Sequence, residues 1–394
     1  MATEDKLHEM KRHVIQWHKY FKENNDRFHA DRRYIFRSNL TTEQRNNLGV
    51  IQKPPFEFNV LEAYISRLRG EFSKQEPSFS VHPTPDSMYL DPSLPPLIEG
   101  HFQAILQDTK RDGFEYDIYT DQLSGGYSVV KVFMDYDNEK SFNQKLFLKR
   151  CDPTMCIFDV LARLSHKGDG RFCGEIFPMT IDEFKNIYEH IDIDHLAYTS
   201  IGDFSWAYKQ GQDKIILVCD YYEKRKKRKK LVFLANNTAM LREDYEQMLR
   251  DWHANMRIDQ PPIAIRERTT EITEIWRHVF IQDQIIESEK TIYTQLPLIF
   301  VDGNSFFLRE NGEDSDVRQF TRSYFYHAKD AQNLKNIAGQ SLANELENMV
   351  QYKYIAVKEA IPEQYQEIWK NPQKPGTLVA NGFLEDGITP IPLP

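Results

Sequence analysis

The sequence predicts an α+β fold on three observations: apolar stripes at helical spacing near both ends, paired β-branched and aromatic runs in between, and a long β excursion flanked by helical patterns. With 394 residues, 40% of them hydrophobic and 13% aromatic, the chain can bury substantial cores and should form more than one structural unit.

The elements follow in order. Leu7, Met10, Val14, Trp17 and Phe21 recur at steps of three and four, which is one stripe on a long helix. A second amphipathic helix after Pro54 and Pro55 carries Leu61, Tyr64, Ile65, Leu68 and Phe72, and PSFSVHP, Pro77 to Pro83, reads as a short strand. A proline-rich joint to Pro96 precedes helical sequence from near Leu97, which Gly125 and Gly126 stop. Tyr127 to Met134 is a buried-strand pattern, Gln144 to Cys151 its return, and Asp137 to Asn143 the loop. Thr180 and Glu183 form a capping box for a helix containing Phe184 and Ile187. Two strand-like runs, Lys214 to Tyr222 and Leu231 to Ala235, flank seven consecutive basic residues, Lys224 to Lys230. Leu241, Tyr245, Met248, Leu249 and Trp252 mark a helix that Pro261 and Pro262 forbid from continuing. From Pro262 to Val301 the pattern is β, and after an acidic loop at Glu310 to Asp316 a long helix runs through Leu334, Ile337, Leu342, Leu346 and Met349. Asn371 to Pro394, rich in Pro and Gly, predicts no packed element, and no internal repeat is present.

Composition narrows the function. No stretch approaches the roughly 20 apolar residues of a membrane span, and the polar start from Met1 to Lys11 is unlike a secretory signal, so a soluble protein made in a cytoplasm is expected. Cys151, Cys156, Cys173 and Cys219 are too dispersed for a disulfide scaffold and are expected to be reduced. Fifty Lys and Arg against 59 Asp and Glu leave a net charge of −9, which argues against a nonspecific polyanion binder.

Catalytic motifs are sparse. His8, Glu9 and His13 resemble H-E-x-x-H with one residue too many; positions i and i+5 lie about 140° apart on a helix, so solvated histidines are expected. His190, Asp192, Asp194 and His195 read as loop surface, although alternate strand residues could share a metal. Cys151, Cys156, His166 and Cys173 lack a C-x-x-C knuckle and read as packed thiols. The glycines at 168, 170 and 174 are followed by no phosphate-binding lysine, no G-x-S-x-G elbow exists, and Asp135 with Asp137 sits at a strand end. No catalytic residue, cofactor or metal is therefore expected. The run Lys224, Arg225, Lys226, Lys227, Arg228, Lys229 and Lys230 is read as an exposed hairpin, with a nucleic-acid or acidic-partner contact as the alternative.

The order of elements resembles a subunit of the tailed-phage portals, nearest to the large portals of short-tailed phages. The strings that carry the likeness are Phe58, Asn59, Leu68 and Gly70, then PSFSVHP, then DQLSGGYSVVKVFMDYD from Asp121 to Asp137, and Cys151, Asp152, Pro153. IILVCDYYEKRKK, LPLIFVDGN from Leu296 to Asn304, and Asp330 to Met349 complete them, and together they span nearly the whole chain.

This resemblance implies a wing at 1–236, a first stem helix at 237–257, a mostly β clip with its acidic loop at 258–318, a second stem helix at 319–352, and an incomplete wing segment at 353–394. Such portals usually continue into a crown beyond the point matching Pro394. It implies a structural protein without enzymatic activity: a dodecameric ring at one capsid vertex of the virion, synthesised in the host bacterial cytoplasm, with no membrane role. Double-stranded DNA would pass through the ring during packaging and ejection, and the partners would be terminase, a head-to-tail adaptor, and capsid and scaffolding proteins. Lys224 to Lys230, Lys329 and Lys335 become candidates for DNA or polyanion contact, and Arg266, Arg268 and Arg277 for partner docking on the clip. The mixed signs of Lys329, Asp330, Lys335 and Glu345 suit a channel that guides DNA without gripping it. The alternatives are a nucleic-acid-binding protein using the basic run and a metal-dependent nuclease.

Overall fold

A computed structural model describes all of the chain except residues 1, 51–52, 75–79, 83–90, 92, 111–112, 139, 192, 194–199, 202–203, 212, 236–237, 255–262, 310–316, 350–359, 367–368, 370–378, 385–386 and 392–394. The acidic loop and three members of the 190–195 cluster fall outside the described residues. So does most of the strand expected at 77–83, whose described part, Ser80 to His82, joins no sheet.

Five helices come first: α1 (Ala2–Phe36), α2 (Thr42–Val50), α3 (Val60–Phe72), α4 (Leu94–Lys110) and α5 (Phe114–Gly125). Strands β1 (Tyr127–Tyr136), β2 (Gln144–Cys151), β3 (Cys156–Phe158) and β4 (Phe172–Thr180) lead to α6 (Ile181–Ile187). Then come β5 (Ser200–Ile201), β6 (Phe204–Ser205), β7 (Ala207–Gln210), β8 (Asp213–Leu234), β9 (Ala239–Leu241) and α7 (Arg242–Ala254). The remaining elements are β10 (Ala264–Phe280), β11 (Ile285–Lys290), β12 (Leu298–Asp302), β13 (Ser305–Arg309), β14 (Val317–Thr321) and α8 (Ala328–Met349). They form two compact units, one of Met1–Arg37 with Leu61–Tyr326, the other of Ser38–Val60 with His327–Pro394.

In the larger unit, the stripe of α1 does what its spacing predicts. Met10, Val14, Trp17 and Phe21 are at most 3% exposed and pack with Tyr127, Phe158, Phe172, Tyr221 and Phe300 from the strands. Trp17 stacks on Phe21 at 4.6 Å between ring centroids, and Tyr127 on Phe300 at 5.1 Å. Burying side chains of this size contributes about 2–3 kcal/mol each, so α1 is held mainly by packing rather than by its own propensity.

The strands form a three-stranded sheet, β12-β1-β2, and a seven-stranded sheet with the path β11-β10-β8-β4-β3, to which β7 and β9 add at β8. The β1–β2 hairpin pairs Val129 with Cys151 through Tyr136 with Gln144, as its alternation predicts. Gly126 ends α5 in the left-handed region, at φ 93°, where its N–H reaches the carbonyls of Asp121 and Gln122. A side chain there would meet the backbone of Arg322, and one at Gly125 would overlap the Phe28 ring. The pair therefore serves both the helix stop and close packing.

Two sequence expectations change. The helical stretch from Leu97 is two helices, broken where Gly113 adopts φ 71°. The basic run is no hairpin turn: β8 is one strand of 22 residues, and β10 pairs with it from Ala264↔Leu234 to Phe280↔Cys219. The excursion expected to start at 258 thus pairs along β8, and Leu298–Asp302 pairs with β1. With β9, the helix α7 lies within the connection from β8 to β10.

In the smaller unit the same kind of stripe behaves differently. On α8, Gln332 and Asn336 are 4% and 3% exposed, whereas Leu334, Ile337, Leu342 and Leu346 are 55–68% exposed. The polar face holds the backbone of the 56–60 segment. Phe56 N–H donates to Gln340 Oε1 at 3.1 Å, Phe58 N–H to Asn336 Oδ1 at 3.0 Å, and Val60 N–H to Gln332 Oε1 at 3.1 Å. Gln332 Nε2 returns a bond to the Phe58 carbonyl at 2.6 Å. A side chain at Gly339 would overlap the Phe58 ring, so glycine permits that approach.

Candidate functional site

The strongest charge feature is built by β8 and β10. From Lys226 outward, β8 loses side-chain cover on most positions until Val232, and β10 does so before Glu274. Alternation splits the basic run over two faces of this ribbon. On one face, Arg225 lies 4.3 Å from the Trp276 ring centre, and Glu274 is a shared acceptor for Lys227 at 2.8 Å, Lys290 at 2.8 Å and Lys229 at 3.6 Å. Hydrogen bonds from Lys227 and Lys290 bring the Glu274 carboxyl down to about 2. Lys229 also meets Glu243 at 2.7 Å. On the other face, Lys224 donates to the Gly168 carbonyl and Arg228 lies 3.6 Å from Glu271. Lys226 and Lys230 are exposed on that face and have no carboxylate partner among the described residues. The run tolerates strand geometry because β10 and α7 supply the acids that local sequence lacks.

Arg266 and Arg268 are exposed near the far end of the same ribbon, opposite Phe233 and Leu231. Arg277, the third arginine expected for docking, lies among carboxylates of its own chain. Its side chain is 31% exposed, and its guanidinium is committed to Asp220 Oδ1 at 2.8 Å and to Glu287 and Glu289 at 3.4 and 3.2 Å. Lys329 and Lys335 lie on α8, Lys329 partly covered and Lys335 exposed.

Sequence reasoning missed a buried charge cluster around Arg277. Lys131 Nζ reaches Asp220 Oδ2 at 2.6 Å and Glu175 Oε2 at 2.9 Å, Lys149 reaches Glu175 Oε1 at 2.8 Å, and the Tyr222 hydroxyl donates to Asp220 at 2.9 Å. Burial alone would lower the Lys131 ammonium, but Asp220, Tyr222 and Glu175 outweigh it and raise it. These groups line a cleft of about 690 Å³ between the two main sheets. Cations and carboxylates satisfy one another there, which makes the cluster a tie between β1 and the larger sheet rather than an open binding site. The available signal was a lone charge inside each of two apolar runs, Lys131 after Val130 and Asp220 after Cys219.

His13, expected to be solvated, instead stacks on Phe172 at 4.1 Å and places Nδ1 2.9 Å from the Tyr221 hydroxyl, and burial lowers its pKa. All four cysteines are buried and free, and burial raises the Cys156, Cys173 and Cys219 thiols. Among the described residues no group of three His, Cys, Asp or Glu side chains is arranged to hold a metal ion. No helix among them is long and apolar enough to cross a membrane.

No curated protein matches the chain significantly. The family described as Phage P22-like portal protein matches residues 11–390, almost the entire length. With a match of that extent over the α+β architecture just described, the chain belongs to the P22-like portal protein family of tailed phages.

Proposed function

We propose that the chain is one subunit of a ring-shaped channel at a capsid vertex, through which viral DNA is packaged and later ejected. The family match over residues 11–390 carries this reading. The role is structural rather than enzymatic. In this reading the larger unit supplies most of the wing, and α8 is the stem helix beside the channel. Its exposed Lys335, Asp330 and Glu345 offer alternating charge that suits passage of DNA without tight binding. The exposed Arg266 and Arg268 at the ribbon end are the proposed contacts for terminase during packaging and for the tail adaptor afterwards, while capsid and scaffolding proteins would hold the ring in the shell. Synthesis takes place in the host cytoplasm, before assembly into the virion.

Sedimentation and particle imaging of the purified chain test the proposal. Ring-shaped oligomers are expected; protein that stays monomeric at high concentration would sink it.

A second reading is favoured by Lys226 and Lys230, two exposed cations on one ribbon face: direct binding of nucleic acid by the isolated chain. It requires affinity that falls steeply with salt and falls again when both lysines become Ser. Unchanged affinity in that double variant removes it.

A further inference from the structure

Gln332, Asn336 and Gln340 stand four residues apart on α8, about 6 Å along the axis at each step. Val60, Phe58 and Phe56, which they hold, stand two apart, about 6.6 Å along an extended chain. The spacings nearly match, so carboxamides on one helix face can meet an extended backbone in register. Each of the three amide oxygens accepts a backbone N–H. The nitrogens are not all used. Gln332 Nε2 donates to the Phe58 carbonyl and to Asn336 Oδ1, whereas Asn336 Nδ2 and Gln340 Nε2 are buried with no acceptor among the described residues. Asn336 Oδ1 takes two donors, Phe58 N–H and Gln332 Nε2, which fixes the orientation of that amide and leaves its nitrogen as the unsatisfied end. Asn336 is 3% exposed, and an unmade hydrogen bond at such a site is destabilising.

Both residues line one groove of about 620 Å³, a size within the roughly 300–1,000 Å³ common for ligand sites. Leu40, Leu48, Phe56 and Ile337 wall it, its other lining groups are carboxamides and a hydroxyl, and none of the lining residues is charged. We infer that this groove binds an extended, uncharged, apolar peptide segment of another protein, whose backbone carbonyls accept from Asn336 and Gln340. The unsatisfied groups are donors, so the ligand must bring acceptors, and same-side carbonyls of an extended chain recur at the spacing of residues 336 and 340. An anion would shed its water here without meeting a cation, whereas a neutral carbonyl would not incur that loss. The apolar walls take the side chains. Phe56 and Ile337 are 40% and 64% exposed, so they can change rotamer and admit the carbonyls to the shielded nitrogens. The inference does not depend on the ring proposed above.

Fluorescence anisotropy of the full chain tests it with a panel of capped, fluorescein-labelled octapeptides in which Ser alternates with Leu, Ile, Val or Phe. Sedimentation records the oligomeric state and circular dichroism the fold. At least one member is expected to bind saturably, and members with Asp or Lys at the apolar positions are expected not to bind. Asn336→Asp and Gln340→Glu keep the oxygens that hold Phe58 and Phe56 and replace only the donors, so each should weaken binding about tenfold. Ile337→Ser alters a groove wall at an exposed position where folding tolerates it, and should weaken binding by a similar factor. No binding by any member, or unchanged affinity in folded Asn336→Asp and Gln340→Glu, overturns the inference. If those two variants do not fold, unchanged affinity in Ile337→Ser overturns it. Peptide binding that disappears as the chain self-associates assigns the groove to a second copy and overturns it as well. Rings that bind no peptide sink this inference alone, and a monomer that binds peptide sinks the portal reading alone.

Discussion

Helices α1 and α8 are both long and amphipathic, yet α1 buries Met10, Val14, Trp17 and Phe21 within its own unit while α8 turns Leu334, Ile337, Leu342 and Leu346 outward. The difference is in what each helix meets. Facing α1 are rings from two sheets, Tyr127 and Phe300 on one and Phe172 and Tyr221 on the other, which accept apolar side chains. Facing the inner side of α8 is an extended segment whose backbone N–H groups need acceptors, and amides answer that need better than leucines do. A periodic stripe fixes the direction of a face on its own helix; the neighbour decides whether that face is core or contact surface.

Substitutions can break or sharpen this contrast. Trp17→Ala should have the largest effect, about 3–5 kcal/mol of unfolding free energy in urea, because it empties a filled site against Phe21 and Phe158. Asp220→Ala should cost about 3 kcal/mol, since it leaves Lys131 and Arg277 without their shared carboxylate. A loss below about 1 kcal/mol would show that water already screens the cluster.

Acid should act through Glu223. Burial opposes its charge, but hydrogen bonds from His278, Lys6 and Arg225 prevail and bring the carboxyl down to about 2. Its contribution, on the order of 2 kcal/mol, is present above the unfolded carboxyl pKa, near 4.3. It is lost as pH falls from there toward 2. Glu223→Gln should flatten that limb of the stability–pH curve, measured by denaturant titration at each pH. Asn336→Ala should cost about 1–2 kcal/mol by stranding the Phe58 N–H. The smallest effect is expected of Leu342→Ser, within about 0.5 kcal/mol on the monomer, although it removes a large apolar side chain.

Much of the architecture was legible. The α1 stripe, the β1–β2 hairpin, and the Thr180 and Glu183 capping box are local patterns with local causes, and the structure contains each of them. Legibility failed where distant residues decide. Seven adjacent cations look like a turn until Glu271, Glu274 and Glu243 arrive from other elements to pair with Arg228, Lys227 and Lys229. Arg277 looks like a surface arginine until Asp220, 57 residues away, claims its guanidinium. Likewise, nothing in the sequence around Gln332 and Asn336 announces that the 56–60 backbone will lie against them. For these residues the candidate site comes from tertiary pairing, and family resemblance supplied what periodicity could not.

Imaging the purified chain by electron microscopy, beside its sedimentation at high concentration, tests the central claim most directly. The account predicts closed rings of many copies for the wild-type chain. A single sedimenting species of monomer mass, with no rings in the images, would contradict it.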